Sequence, residues 1–331
     1  MTVTLRDVAA RAGVSTAAVS RTFTPGASVS PRMRARVLKA AEALGYQPST
    51  IASAMSTGRT KLIGLVVTNF RNPLMLDVFE RFTAQLQDRG LRPLLVNLRD
   101  DADPAEAIAM LRGYRVDGVV IASSTVTRGF ARAFAASGIP TVHSFGPVTP
   151  SPDVHVVGID NVEAGRIAAR ELLKRGYKPG FLGGPGTASS TQDRVAGFSQ
   201  YAPRAYKHNA EAYTFQAGYD AMSRICRRAT GWFCADDVLS LGAMAALRDR
   251  GLRVPDQAGV IGFNDMEMAS WPGIDLTTIR MPTGAIISGA IDLVTAVMDE
   301  PDRPPETRMF PCTLMERGTL RSSAPKSRAR A

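Results

Sequence analysis

The chain has 331 residues, 45% hydrophobic and 21% charged, which suits two or three compact globular units and excludes a membrane span, since no apolar run approaches the roughly 18 residues one needs. Its start lacks the apolar core of a signal peptide, so a cytoplasmic, nucleoid-associated protein is expected. The net charge of +10 lies at the ends: residues 1–60 carry eight Lys/Arg against two Asp/Glu, 321–331 carry four against none, and the middle balances. A basic N-terminal segment on a neutral body is the profile of an anion-binding module, with nucleic acid the obvious polyanion. The tail SSAPKSRARA reads as a solubilising, disordered end.

In chain order, Leu5 to Phe23 comes first. Leu5, Val8, Ala9 and Ala12 repeat at helical spacing, Gly13-Val14-Ser15 interrupts, and Ala18, Val19, Thr22 and Phe23 repeat again. Glycine gives the backbone freedom for a sharp turn, Val14 an apolar plug, and Ser15 a cap for the second helix. The spacing therefore predicts a helix-turn-helix whose second helix exposes Thr16, Ala17, Ser20 and Arg21, side chains suited to base edges and phosphates. After the turn TPGAS, Ser30-Pro31 opens a third helix that Gly45 stops, with Val37, Leu38, Ala41 and Leu44 as its buried stripe. Residues 47–59, QPSTIASAMSTGR, are Ser/Thr-rich and short of large apolar groups: an inert linker, or a helix that folds only when something organises it.

From Lys61 the texture changes. Apolar runs (62–68, RPLLVN, 117–122, 140–145) alternate with helical patterns near 75–90, 104–113 and 128–137. The alternation resumes with 154–159, a helix over 161–176, GFLGG, helices near 192–200 and 216–228, 231–235, a helix over 238–250, and 258–263. Such alternation implies parallel sheets covered on both faces. Two such units in tandem place a ligand cleft at the carboxyl ends of their strands. Residues 199–216 are poorly patterned, and Pro203 interrupts any helix continued from 192.

The segments TLRDVAARAGVSTAAVSR, VSPRMRARVLKAAEALGYQPSTIASAM, TKLIGLVV, VDGVVIA, VGIDNVEAGRIAARELLKRGY, DRVAGF, WFCADDVLSLGAMAALRDRGLRVPDQAGVIGFND and LTTIRMP resemble, in that order, the LacI/GalR (lactose-repressor) family of transcription regulators, over nearly all of residues 4–318. The resemblance implies an N-terminal all-α helix-turn-helix module (1–46) and a hinge helix (47–60). After them come an α/β periplasmic-binding-protein-like body of two parallel-sheet subdomains (61–320) and the basic tail (321–331). It implies a homodimer on a pseudopalindromic double-stranded DNA operator, controlled by a small-molecule effector, with repression as the output and no cofactor. Thr4, Ser15, Thr16, Ala17, Ser20, Arg21 and Ser28 fall at its DNA-contacting positions on the module, and Ser49, Ala52 and Met55 at those of the hinge. Met55 stands where the family usually has a leucine wedge for the minor groove; it either kinks the DNA or packs on its dimer partner. Arg21 either reads a guanine or neutralises a phosphate.

For the effector the matching positions are Asn69, Phe70, Arg71, Ser123, His143, Arg194, Asp236 and Asn264, and Trp271 is either an aromatic platform for a sugar or base ring or a loop tryptophan buried for packing. A guanidinium and a carboxylate in one cleft suit a polyhydroxylated or charged molecule, a sugar or sugar acid being favoured with Arg71 as a second cation. A nucleobase-like corepressor is the alternative. The family generally has asparagine where Asp236 lies and aspartate where Asn264 lies. Either the cleft keeps one carboxylate on its other wall, or Asp237 and Asp265 share the work.

Two other classes compete. A transporter's solute-binding protein shares the paired body, but not the basic helical module. An enzyme is disfavoured: GFLGGPGTASS lacks the Lys-Ser/Thr pair of a phosphate loop, and there is no GxSxG elbow. Cys226, Cys234 and Cys312 form no CxxC pair and His143, His155 and His208 are scattered, so neither a disulfide framework nor a metal site is expected.

Overall fold

A computed structural model describes residues 3–24, 26–47, 54, 58–98 and 103–322. The chain separates into two compact units, Met1–Lys61 and Leu62–Ala331.

The first unit contains α1 (Leu5–Ala12), α2 (Thr16–Phe23) and α3 (Pro31–Leu44). The Thr4 hydroxyl and backbone N–H both donate to Asp7 Oδ2, at 2.7 and 2.8 Å, closing a capping box at α1. Gly13 ends α1 at φ +59°, and Ser15 Oγ accepts the Ala18 N–H at 3.2 Å to start α2. Val8, Ala9, Ala12, Val19, Val37, Ala40 and Ala41 form the core, with Val14 packed against it. Arg34 and Arg36 of α3 donate to the carbonyls of Thr22 and Gly13, tying the third helix to the ends of the other two. Leu38, expected in the buried stripe, is 45% exposed, and Ala40 takes its place. A stripe starting at Val37 advances by three and four residues, to 40, 41 and 44, which leaves 38 on the flank. The hinge positions Ser49, Ala52 and Met55, and residues 323–331 of the tail, lie outside the described residues.

The second unit holds two six-stranded sheets. The first, in the order β11-β5-β4-β3-β1-β2, is parallel throughout. It consists of β1 (Leu62–Val67), β2 (Arg92–Asn97), β3 (Gly118–Ala122), β4 (Thr141–Ser144), β5 (His155–Ile159) and β11 (Thr307–Phe310). The second, β12-β10-β9-β8-β6-β7, consists of β6 (Pro179–Gly183), β7 (Tyr206–Asn209), β8 (Gly231–Cys234), β9 (Gly259–Asn264), β10 (Thr278–Arg280) and an antiparallel β12 (Thr313–Met315). Helices α4 (Pro73–Asp88), α5 (Pro104–Gly113) and α6 (Arg128–Ala136) belong to the first sheet's half. Helices α7 (Asn161–Lys174), α8 (Ser189–Tyr201), α9 (Phe215–Ile225) and α10 (Asp237–Asp249) belong to the second.

The halves are not in tandem. β5, expected to begin the second unit, joins the first sheet beside β4, and α11 (Thr283–Asp299) returns to pack on β3, β4, β5 and α4. The chain therefore crosses between halves three times: after Ile159, before Thr283 and between Phe310 and Thr313. The poorly patterned 199–216 resolves into the end of α8 at Tyr201, the short edge strand β7 beside β6, and a Thr214 cap on α9.

Candidate functional site

On the module, Thr16, Ala17, Ser20 and Arg21 lie on the exposed face of α2, while Ala18, Val19 and Thr22 face the core. Thr22 donates to the Ala18 carbonyl at 2.9 Å, so its hydroxyl is spent within the helix. Ser15 accepts an N–H, which leaves its own O–H to donate outward. Thr4 has its hydroxyl proton committed to Asp7, whose carboxyl that bond holds below its usual range. Ser28 is exposed on the link between α2 and α3.

In the body, a cavity with an empty volume of about 650 Å³ lies between the two sheets' halves. One wall comes from the first half, where the hydroxyls of Thr68, Ser123 and Thr125 bond to one another at 2.7–3.1 Å. The opposite wall is built on Arg194 of α8. Its Nε donates to Asn161 Oδ1 at 2.8 Å and its Nη1 to the Ala235 carbonyl at 2.6 Å. The guanidinium lies 3.5 Å from the centroid of the Phe263 ring. Burial lowers its pKa, and Nη2 has no partner among the described residues, so that nitrogen remains to donate into the cavity. Tyr213 completes this wall, its hydroxyl 3.2 Å from Ser190 Oγ and 2.8 Å from Thr191 Oγ1.

Asp236 caps α10, its Oδ1 accepting the Val238 N–H at 2.8 Å. Its Oδ2 accepts from Asn264 Nδ2 at 3.0 Å and, across the cavity, from Asn72 Nδ2 at 2.8 Å. Burial pushes its carboxyl up to about 6 against these hydrogen bonds. Asn69, Phe145 and Asn264 line the cavity with positive φ (+60°, +63° and +112°), a concentration of strained backbone typical of sites that must hold side chains in a fixed direction.

The structure thus brings Asn69, Ser123, Arg194, Asp236 and Asn264 together and leaves four expected residues outside. His143 stands behind the wall: 1% exposed, it places Nε2 at 2.8 Å from the Ser123 carbonyl and packs under Gly146. Phe70 packs edge-on against Phe79, and Arg71 is exposed and off the lining, which removes the second cation. Trp271, 50% exposed, lines a separate groove with Met266, Met268 and Arg280. Asp237 accepts from the Thr278 hydroxyl at 2.6 Å and the Met266 N–H at 2.8 Å, while Asp265 pairs with Arg280 and Arg317 at 2.6 Å. Neither lines the cavity, so the exchanged acid and amide face each other and Asp236 is its carboxylate.

The sequence reading missed Thr68, Asn72, Thr125, Asn161 and Ser190, and set Tyr213 aside. Asn72 carried a signal: an asparagine directly before Pro73 marks a helix start. Tyr213 lay in the segment without periodicity.

A helix-turn-helix unit with an open recognition face, followed by a two-sheet body enclosing a polar cavity, defines the class of ligand-responsive DNA-binding regulators. Residues 4–49 match the profile described as bacterial regulatory proteins, lacI family, and residues 169–320 a periplasmic binding protein-like domain. The HTH-type transcriptional repressor PurR of Mannheimia succiniciproducens is 30% identical over 92% of this chain and 94% of its own. Its namesake from Vibrio cholerae is 28% identical over 96% and 98%. Among solved structures, a Lac repressor dimer bound to operator and the anti-inducer ONPF superposes with TM-score 0.87 at 23% identity, covering 97% of this chain and all of that one. A complex of the regulator CelR with cellobiose gives 0.71 at 26%, covering 96% and 99%. The chain belongs to the LacI family: it is a DNA-binding transcriptional regulator with an effector-binding body.

Proposed function

We propose that the chain is a cytoplasmic homodimeric repressor whose grip on a pseudopalindromic operator is set by a small molecule in the Arg194–Asp236 cavity, and that its role is regulatory, not enzymatic. Residues 1–46 read the major groove, 47–60 form a hinge helix with Met55 in the minor groove, and 61–320 bind effector and dimerise. The observation that carries this is the cavity itself: one partly free guanidinium, one occupied carboxylate and a wall of hydroxyls and amides suit an uncharged or singly anionic polar ring. The hydroxyl-rich first wall favours a sugar or sugar acid. Phe145 and Tyr213 favour the second reading, a nucleobase-like corepressor, because aromatic rings offer faces to a planar ligand.

For dimerisation, Leu95 of the edge strand β2, with Leu76 of α4 and Met110 and Tyr114 at the end of α5, the helices before and after β2 in the chain, are large apolar residues left exposed. Thermal-shift screening against sugars, sugar acids and nucleobases identifies a ligand by the rise in melting temperature it causes. Gel shift on genomic fragments with and without that ligand then tests the regulation. Deleting residues 1–58 should abolish DNA binding and leave the ligand shift intact. DNA binding that survives the deletion, or that no ligand alters, overturns the reading. Met55→Ala should weaken operator binding far more than nonspecific binding; equal loss on both removes the wedge.

A further inference from the structure

The Asn72 side chain makes the bond that spans the cavity. It stands at the start of α4 in the first half, where Oδ1 accepts the Leu74 N–H at 3.0 Å. That bond fixes which way the amide faces, and so turns Nδ2 away from the helix toward Asp236 Oδ2, 2.8 Å off in the second half. Asp236 is fixed the same way, by its own cap on Val238. Each end of the bridge is therefore oriented by a helix start, and Asn264 donates to the same oxygen from β9. Asn72, Asp236 and Asn264 are 4%, 3% and 6% exposed. A second bond, Ser189 Oγ to the Ser124 carbonyl at 3.2 Å, also joins the halves, between partly exposed groups.

Taking the cavity to be the effector site, as proposed above, we infer that Asn72 is a positioning residue of that site: its bond to Asp236 latches the two halves closed without any effector. Oδ2, the oxygen that faces the first half, already accepts from both Asn72 and Asn264, so a ligand hydroxyl reaches that oxygen only by displacing an amide, and opening the cleft gives up a charge-assisted bond made between groups 3–4% exposed. Effector recognition then falls to the Arg194 Nη2, the hydroxyl cluster and the free amide oxygen of Asn264. Closure is set by the chain's own side chains. A ligand that binds the closed form gains from this, because apparent affinity scales with the fraction of molecules already competent.

The test needs neither effector nor operator, so its failure would concern the latch and leave the reading of the site to the thermal-shift screen. Asn72→Asp keeps the cap on Leu74 but sets an acceptor against Asp236. Asp236→Asn keeps the cap on Val238, installs the residue the family usually has, and sets its amide N–H groups against those of Asn72. The double variant N72D/D236N restores a donor–acceptor pair with its direction reversed. In the full-length protein, hydrogen exchange of the segments around 72–78 and 236–242 should speed up by about tenfold or more in each single variant. X-ray scattering should show a larger radius of gyration. The double variant should return both toward the parent values. Single variants that exchange and scatter like the parent overturn the latch, as does a double variant as open as the singles. Should Asn72→Asp fail to fold, Asp236→Asn and the double variant decide by the same comparison.

Discussion

At the scale of single residues, the side chains whose position follows from a short motif were the legible ones. CADD places Asp236 at the start of a helix, GFND places Asn264 at the end of a strand and DRVAGF places Arg194 on the buried face of α8, and all three reach the cavity. Phe70, Arg71 and Trp271 sit in loops, where a shift of one residue turns a side chain out of a site, and position alone did not fix them. His143 is the informative miss. It lies on a strand at the expected place, but the strand's alternation points its ring into the protein, where it supports Ser123. Complete burial pushes its pKa from 6.5 down to about 4. The unfolded chain therefore takes up the proton first as pH falls, so His143 contributes stability that is full above 6.5 and lost progressively down to about 4. At pH 5 the loss is roughly 2 kcal/mol. His143→Gln keeps an N–H for the Ser123 carbonyl and has nothing to titrate. Its melting temperature should fall less than the parent's between pH 7 and 5. Asp236 and Asp237, raised to about 6 and 8, pull the opposite way, and they do so equally in both proteins.

At the scale of elements, caps and periodicity located most helices, since Ser15, Ser30-Pro31 and Gly45 act locally and need no tertiary partner. Ser15→Ala should cost the module about 1 kcal/mol, read as faster hydrogen exchange in α2 with the body unchanged. What local signals do not encode is which neighbour a helix meets. The pairing of α7 with α8 depends on Gly165 and Gly197, where an added Cβ would collide with the carbonyls of Arg194 and Val162. Backbone-to-backbone approach at that crossing sets the height of Arg194 over Phe263. Gly165→Ala should force the helices apart, with a loss on the order of 2 kcal/mol in thermal unfolding. Ligand-induced stabilisation should also weaken, because the guanidinium moves with the backbone it displaces. Full ligand response in a folded Gly165→Ala protein would show that the crossing does not govern Arg194.

At the scale of the whole molecule, the sequence disclosed two α/β halves but not how the chain divides between them. β5 reads as the first strand of a new unit because it follows a long loop and precedes a helix; hydrogen bonding to β4 assigns it to the old one. α11 is apolar on most sides, so its pattern names no sheet to cover. The same lack of local signal hides the face proposed above for dimerisation, which the strand order places at a sheet edge. β2 is one of the two outer strands of the first sheet, and its Leu95 is 40% exposed. An open strand edge carrying an exposed leucine invites association unless a partner covers it. Leu95→Asp places a charge at the centre of that edge without touching the core of either half. Sedimentation should then report a monomer where the parent is a dimer, with unchanged circular dichroism. Because each module holds one half-site, losing the partner removes the gain from linking two weak contacts, which is worth about 10²–10⁴ in affinity. Operator binding should drop by that factor while nonspecific binding per module stays. Effector-induced stabilisation should persist, since Leu95 does not line the cavity. A Leu95→Asp protein that remains dimeric would move the interface to another face, and the groove beside Trp271 would be the next place to substitute.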